Sequence, residues 1–155
     1  MLIRPFLLLL TILVPFAGGR TALAQLEQFP TAELTIVTAA GPQKFTVEVA
    51  TTPAQLEQGL MFRRSMPSSA GMIFDFKRSQ PAMMWMKNTF IPLDMLFVDE
   101  HGRIVNIHER AIPQSLDTIS SAAPVRGVIE LNAGTAERLG IKPGDRVVFP
   151  IFGGA

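Results

Sequence analysis

The chain has 155 residues, with 14 Lys+Arg against 13 Asp+Glu, 12 Gly, 12 Pro and no Cys or Tyr. Without cysteine there can be no disulfide, thiolate metal ligand or thiol nucleophile. The near-balanced charge, with basic pairs only at Arg63-Arg64 and Lys77-Arg78, excludes the clustered Lys/Arg footprint of a nucleic-acid binder.

The first 24 residues read as a secretory signal peptide. Arg4 gives the basic start, Pro5 to Phe16 the short apolar centre, and Ala22-Leu23-Ala24 the small residues before the cut. A membrane anchor is the alternative, but a spanning helix needs about 20 apolar residues. This run is shorter and is interrupted by Pro15, Gly18 and Gly19. Cleavage removes Arg4 and Arg20 and no acidic residue, so the remainder carries one net negative charge. The expectation is a processed protein with no membrane attachment, in the periplasm or secreted.

Residues 25–32 read as a flexible lead-in, and residues 33–155 as a single β-rich domain. Leu34–Val37 and Phe45–Val49 form a hairpin about Ala40-Gly41-Pro42. Thr52, Pro53 and Gln55 supply a capping box and an N1 proline for a short helix from Pro53 to about Met61. Strands follow at Met72–Phe76, Met83–Met86 and Leu93–Val98, and the turn Asp99–Gly102 leads into Arg103–His108. Val125–Asn132 is a further strand. Ala133–Leu139 is a short helix closed by Gly140, and Lys142–Asp145 turns into a last strand from Arg146 to Ile151. About eight short strands and two short helices make the chain mainly β, a compact antiparallel sandwich or barrel.

Three segments carry a family resemblance. They are Gly59–Arg63 with Gly71–Phe74, then Trp85–Phe97 (WMKNTFIPLDMLF), then Val128–Gly134 running into Leu139-Gly140 and Pro143–Asp145. Together they resemble the domain of unknown function family 192, also called UPF0127, over about Val47 to Phe149. Met84 stands where such proteins usually have an aromatic residue, and Gly127 where a larger one is common. The resemblance implies a jelly-roll-like β-sandwich and carries no catalytic residue with it.

The richest chemistry lies between Trp85 and Asp94. An indole, the Lys87 ammonium and the Asn88 amide, with Arg63, Asp94 and Glu130 as further candidates, could hold a small polar ligand or a cell-envelope glycan. As a strand, Trp85–Asn88 would put Trp85 and Lys87 on one face. The competing reading is architectural: Asn88-Thr89 would satisfy a turn, and Asp94 would pair with Lys87 or Arg63. Arg63 fits the C-terminal dipole of the first helix or an anion clamp, with Glu130 as its salt-bridge partner. Asp75, Asp94, Glu109 and Glu130 could instead supply a hydrolase pair. Seven methionines (Met61, Met66, Met72, Met83, Met84, Met86 and Met95) raise Cu(I) binding against core filling. His101 and His108 lack zinc spacing, and Ser68, Ser69 and Ser115 lack a nucleophile elbow. The sequence thus names no catalytic residue, metal or cofactor.

Overall fold

The computed structural model describes residues 26–153, so the leader expected over residues 1–24 lies outside them. Strand β1 (Thr31–Thr38) buries Leu34 and Ile36, and β2 (Gly41–Ala50) buries Phe45 and Val47 on the same face. The two pair antiparallel from Thr31 opposite Glu48 to Thr38 opposite Gly41. The turn therefore falls on Ala39 and Ala40, one residue before the predicted centre. The Thr38 hydroxyl fixes it, donating to the Gly41 carbonyl at 2.9 Å and accepting from the Ala40 N–H at 3.2 Å.

The stretch read as a flexible lead-in is held at several points. The Gln55 amide donates to the Gln28 carbonyl at 2.7 Å, and the Gln58 side chain accepts from the Glu27 N–H at 2.8 Å. The Val49 N–H donates to the Pro30 carbonyl, and Phe29 packs on apolar residues below. Both glutamines belong to helix α1 (Pro53–Gln58), which opens with the expected Thr52/Gln55 capping box. The helix stops short of Met61 because Gly59 turns the chain at φ 47° and ψ −132°. A Cβ there would stand 2.9 Å from the Phe74 ring.

The crossover through α1 brings β3 (Ala70–Gln80) parallel to β2, so the sheet is not antiparallel throughout. Parallel neighbours need such a long connection, which the sequence supplies between Ala50 and Ala70. β4 (Met83–Met84) and β7 (Ile119–Ser120) make a separate two-stranded ribbon. β5 (Leu93–Val98) lies between β6 (Ile104–Ala111) and β8 (Val125–Asn132), giving the sheet order β6-β5-β8-β3-β2-β1-β9. Helix α2 (Thr135–Leu139) precedes β9 (Arg146–Val148), and a 3-10 turn at Pro150–Phe152 replaces the end of the predicted last strand, where proline cannot donate to a ladder.

The sheet curls until its ends meet. Arg103, just before β6, bridges Arg146 of β9, and Ile104 donates to the Asp145 carbonyl at 3.0 Å. Inside the curl, Leu34, Phe45, Ile73, Leu96, Ile129 and Val147 form one core. On the outer face Met72, Phe74, Leu93, Met95, Phe97 and Val128 form a second, covered by Leu60, Ala82, Met86, Ile91 and Ile119 from the connections. All six residues of β5 are therefore buried, its inner and outer side chains alike. Gly127 also has a reason: a Cβ would stand 2.6 Å from the Phe74 carbonyl oxygen, where β3 and β8 approach closely.

Candidate functional site

The outer core opens to the surface beside α1. A cavity of about 110 Å³ lies between the C-terminal turn of α1, the β4 segment and the outer face of β3 and β8. Leu56, Leu60, Met61, Phe74, Met84 and Trp85 give it mainly apolar walls. Its floor carries Glu130, opposite Met72 of β3 and Met95 of β5 and only 4% exposed. Burial pushes the Glu130 carboxyl up to about 8, with no opposing hydrogen bond or charge. Among the described residues no fully sealed side-chain polar atom lacks a partner. The unpaired Glu130 oxygens must therefore open onto the cavity.

The rim is built from residues near the WMKNT segment. The strand expected over Met83–Met86 ends at Met84. A turn follows, because the Thr89 N–H donates to the Met86 carbonyl at 3.1 Å while Met86 N–H is engaged by Ser115. Trp85 and Lys87 still meet: the Lys87 ammonium lies 5.1 Å from the centre of the indole ring. That contact is worth about 0.5–1 kcal/mol at an exposed site, and it covers one face that a sugar would otherwise use. Asn88 adopts φ 54°, and its carbonyl accepts from Phe62, itself at φ 67°. Phe62 and Phe90 then stack edge to face at 6.4 Å.

The other candidates separate from this pocket. Arg63 pairs with Glu48 of β2 at 2.9 Å and lies over Phe29, so Glu130 is not its partner. Asp94 pairs with neither Lys87 nor Arg63. It sits inside the curl, fully buried, where its carboxylate accepts from the N–H groups of Arg110, Gly134 and Ala136. It thereby caps α2, whose own N-cap, Gly134, has no side chain to do so; the helix accordingly begins at Thr135 instead of Ala133. Asp75 also lies on the inner face. Burial pushes its carboxyl upward, but hydrogen bonds from Arg126 and Lys77 outweigh this and hold it below its ordinary value. Glu109 is exposed on β6. Asp75 and Asp94 are thus separated from Glu130 by the thickness of the sheet, and none of the three carboxylates joins it in the cavity.

The methionines divide by place. Met72, Met86 and Met95 are fully buried and Met66 packs against them, as core filling requires. Met61, Met83 and Met84 border the cavity. His101 is exposed on the turn before β6 and His108 within it, and no group of three or more His, Asp or Glu gathers as a metal site among the described residues. Leu56 and Glu57 line the pocket without having stood out as site residues in the sequence, and Thr89 and Phe74, read as turn and family-segment residues, line it too. Each belongs to an ordinary amphipathic helix, turn or strand, and only the crossover from β2 to β3 brings them together.

The fold and site define a small curled β-barrel with an acid-floored apolar pocket on its outer face. The DUF192 family model, described as "Uncharacterized ACR", matches residues 35–149, and the chain belongs to that family. The chain is similar to the crystal structure of a candidate transcription regulator from Sinorhizobium meliloti 1021, with 51% identity over 78% of this chain and 95% of that one, at a TM-score of 0.76. It is also similar to a protein of unknown function from Novosphingobium aromaticivorans DSM 12444, with 40% identity over 77% and 85% of the two chains and a TM-score of 0.75. No curated protein matches.

Proposed function

We propose that this chain is an exported, non-enzymatic binding or accessory domain, processed after Ala24, whose cavity takes a small polar ligand or the end of a cell-envelope glycan. The carrying observation is Glu130: a buried carboxyl without a partner, opening onto a cavity beside an exposed indole. A carboxyl that has no protein partner and opens onto an apolar-walled cavity leaves its hydrogen-bonding capacity to whatever fills that cavity. The chain has a single tryptophan, Trp85, so its fluorescence reports on this pocket alone. Titration with a glycan and metabolite panel should shift the emission for at least one compound class; a flat response, with unchanged methyl signals from Met61, Met83 and Met84, defeats the reading.

The transcription-regulator description of one structural neighbour is not carried over. The basic group at the barrel seam, His101, Arg103 and Arg146, spans one open surface depression, which is not the stripe a nucleic-acid backbone requires. A second reading, Cu(I) binding, is favoured by the three thioethers at the cavity, since soft sulfur ligands select that ion. Competition against a Cu(I) chelator tests it: loss of retention when Met61, Met83 and Met84 are replaced by leucine is expected, and retention by the triple variant refutes it.

A further inference from the structure

We propose that the ligand carries a primary ammonium group on a small body that has an apolar face, with the ammonium held against the Glu130 carboxylate and the apolar face against Leu60, Phe74, Met84 and Trp85. This inference rests on the binding reading above and names the chemistry of its ligand.

Charge is the first ground. The cavity lining contains two acidic side chains, Glu57 and Glu130, and no Lys, Arg or His. An anion would meet no partner there. The surroundings of Glu130 sharpen this. β3 presents Met72 and Phe74 to its face, and β5 presents Met95. α1 contributes Glu57, whereas Lys87, after β4, stands outside the lining with its ammonium over the indole. His108 lies one strand beyond, opposite Met95, and is exposed.

The walls are the second ground. An aliphatic amine needs one strong acceptor and apolar contact for its carbon chain, and this lining offers that proportion. Aromatic faces attract cations as well, and the position of Lys87 over Trp85 shows this indole doing so. The C-terminal turn of α1 borders the cavity with the carbonyl end of the helix, again the end that favours positive charge. A cavity of about 110 Å³ takes only a few heavy atoms, so a larger molecule leaves past Trp85 and the exposed Met83. Both a free alkylamine and an amino sugar offer this chemistry.

Binding then moves one proton. The empty pocket holds Glu130 protonated up to about pH 8; an arriving ammonium stabilises the carboxylate, and the carboxyl proton leaves to solvent. For an amine that stays protonated throughout, such as butylamine, affinity must therefore rise with pH up to that point, by close to tenfold per unit; an amino sugar, whose ammonium itself begins to lose its proton in this range, shows a smaller rise.

The experiment is a Trp85 fluorescence titration of the purified protein and of Glu130→Gln at pH 6, 7 and 8. The probes are butylamine with butanol, and glucosamine with glucose; methionine methyl NMR signals follow each titration in parallel. At least one amine should bind tenfold or more tightly than its neutral counterpart, with this rise in affinity between pH 6 and 8, and Glu130→Gln should lose both the preference and the rise. The arm that responds tells alkylamine from amino sugar. Equal binding of amine and neutral probe, or amine affinity unchanged in Glu130→Gln, overturns the ammonium assignment while the pocket reading stands. Silence of every probe by both methods overturns both. If Glu130→Gln fails to fold, the wild-type preference of each amine over its neutral counterpart at pH 7 and the pH slope for butylamine decide: no preference in either arm, or butylamine bound with a flat profile, refutes the proposal.

Discussion

Glu130 and Asp75 are both acids buried in the same sheet, yet they titrate in opposite directions. Asp75 receives hydrogen bonds from Arg126 and Lys77 and is held below its ordinary value. Glu130 receives none and rises from 4.5 to about 8. The consequence for stability follows from proton counting. Below about pH 4.5 Glu130 is protonated in both folded and unfolded chains and contributes no difference. Between that pH and about 8 the unfolded chain ionises while the native one does not, so stability falls as pH rises. The total is a few kcal/mol, because every pH unit that separates native from unfolded ionisation corresponds to about 1.4 kcal/mol. Glu130→Gln should therefore leave the melting temperature at pH 4 nearly unchanged and raise it by several degrees at pH 8. Thermal melts across pH 4–9 check this, and a variant with the same pH profile as wild type contradicts the assignment. Asp75 works the other way: its share of stability is present above the unfolded value of 3.8 and is lost as pH falls through its lower native value.

At the scale of elements, the short helices are stabilised from outside themselves. α2 has five residues and a glycine N-cap, and its free N–H groups are served by Asp94 from β5. Asp94→Ala strands three backbone donors, at least one of them fully buried, so a loss of about 2–4 kcal/mol is expected in urea denaturation. Asp94→Asn should lose less, because its amide oxygen still accepts. For α1 the sensitive point is Gly59. A side chain there meets both an unfavourable backbone region and the Phe74 ring, so Gly59→Ala should cost about 1–3 kcal/mol and displace the pocket wall. These roles also show what was legible in the sequence. The turn Asp99–Gly102 after β5 and the α1 capping box are local signals. Asp94, Glu130 and Arg63 read as site residues because charge stands out in an apolar run. Which of them faces inward, which faces the cavity and which finds Glu48 depends on pairings between β2, β3, β5 and β8 that local sequence does not encode. Trp85–Asn88 failed as a strand for a similar reason: Ser115, far along the chain, takes the Met86 N–H.

For the whole molecule, the decisive feature is a sheet buried on both faces. The inner core is enclosed by the curl, whereas the outer core depends on connections that cross it, with α1 prominent among them. The N-terminal stretch before β1 fastens that helix: Glu27 and Gln28 hydrogen-bond to Gln58 and Gln55, and Phe29 packs beneath the Arg63 side chain. Cleavage after Ala24, as proposed, would leave these residues in place. Two truncated proteins separate the contributions. One beginning at Gln25 keeps every one of these contacts and serves as the reference. One beginning at Thr31 keeps β1 but loses three hydrogen bonds, two to α1 and one from the Val49 N–H to the Pro30 carbonyl, together with the Phe29 contact. At a net 0.5–1.5 kcal/mol per hydrogen bond, it should be less stable by about 2–3 kcal/mol. Because the loss falls on the outer core, Trp85 emission and methyl signals of Met61 and Met84 should shift while those of the inner core hold. Equal stability of the two proteins, or perturbation spread evenly over both cores, would show that the lead-in does not support the pocket.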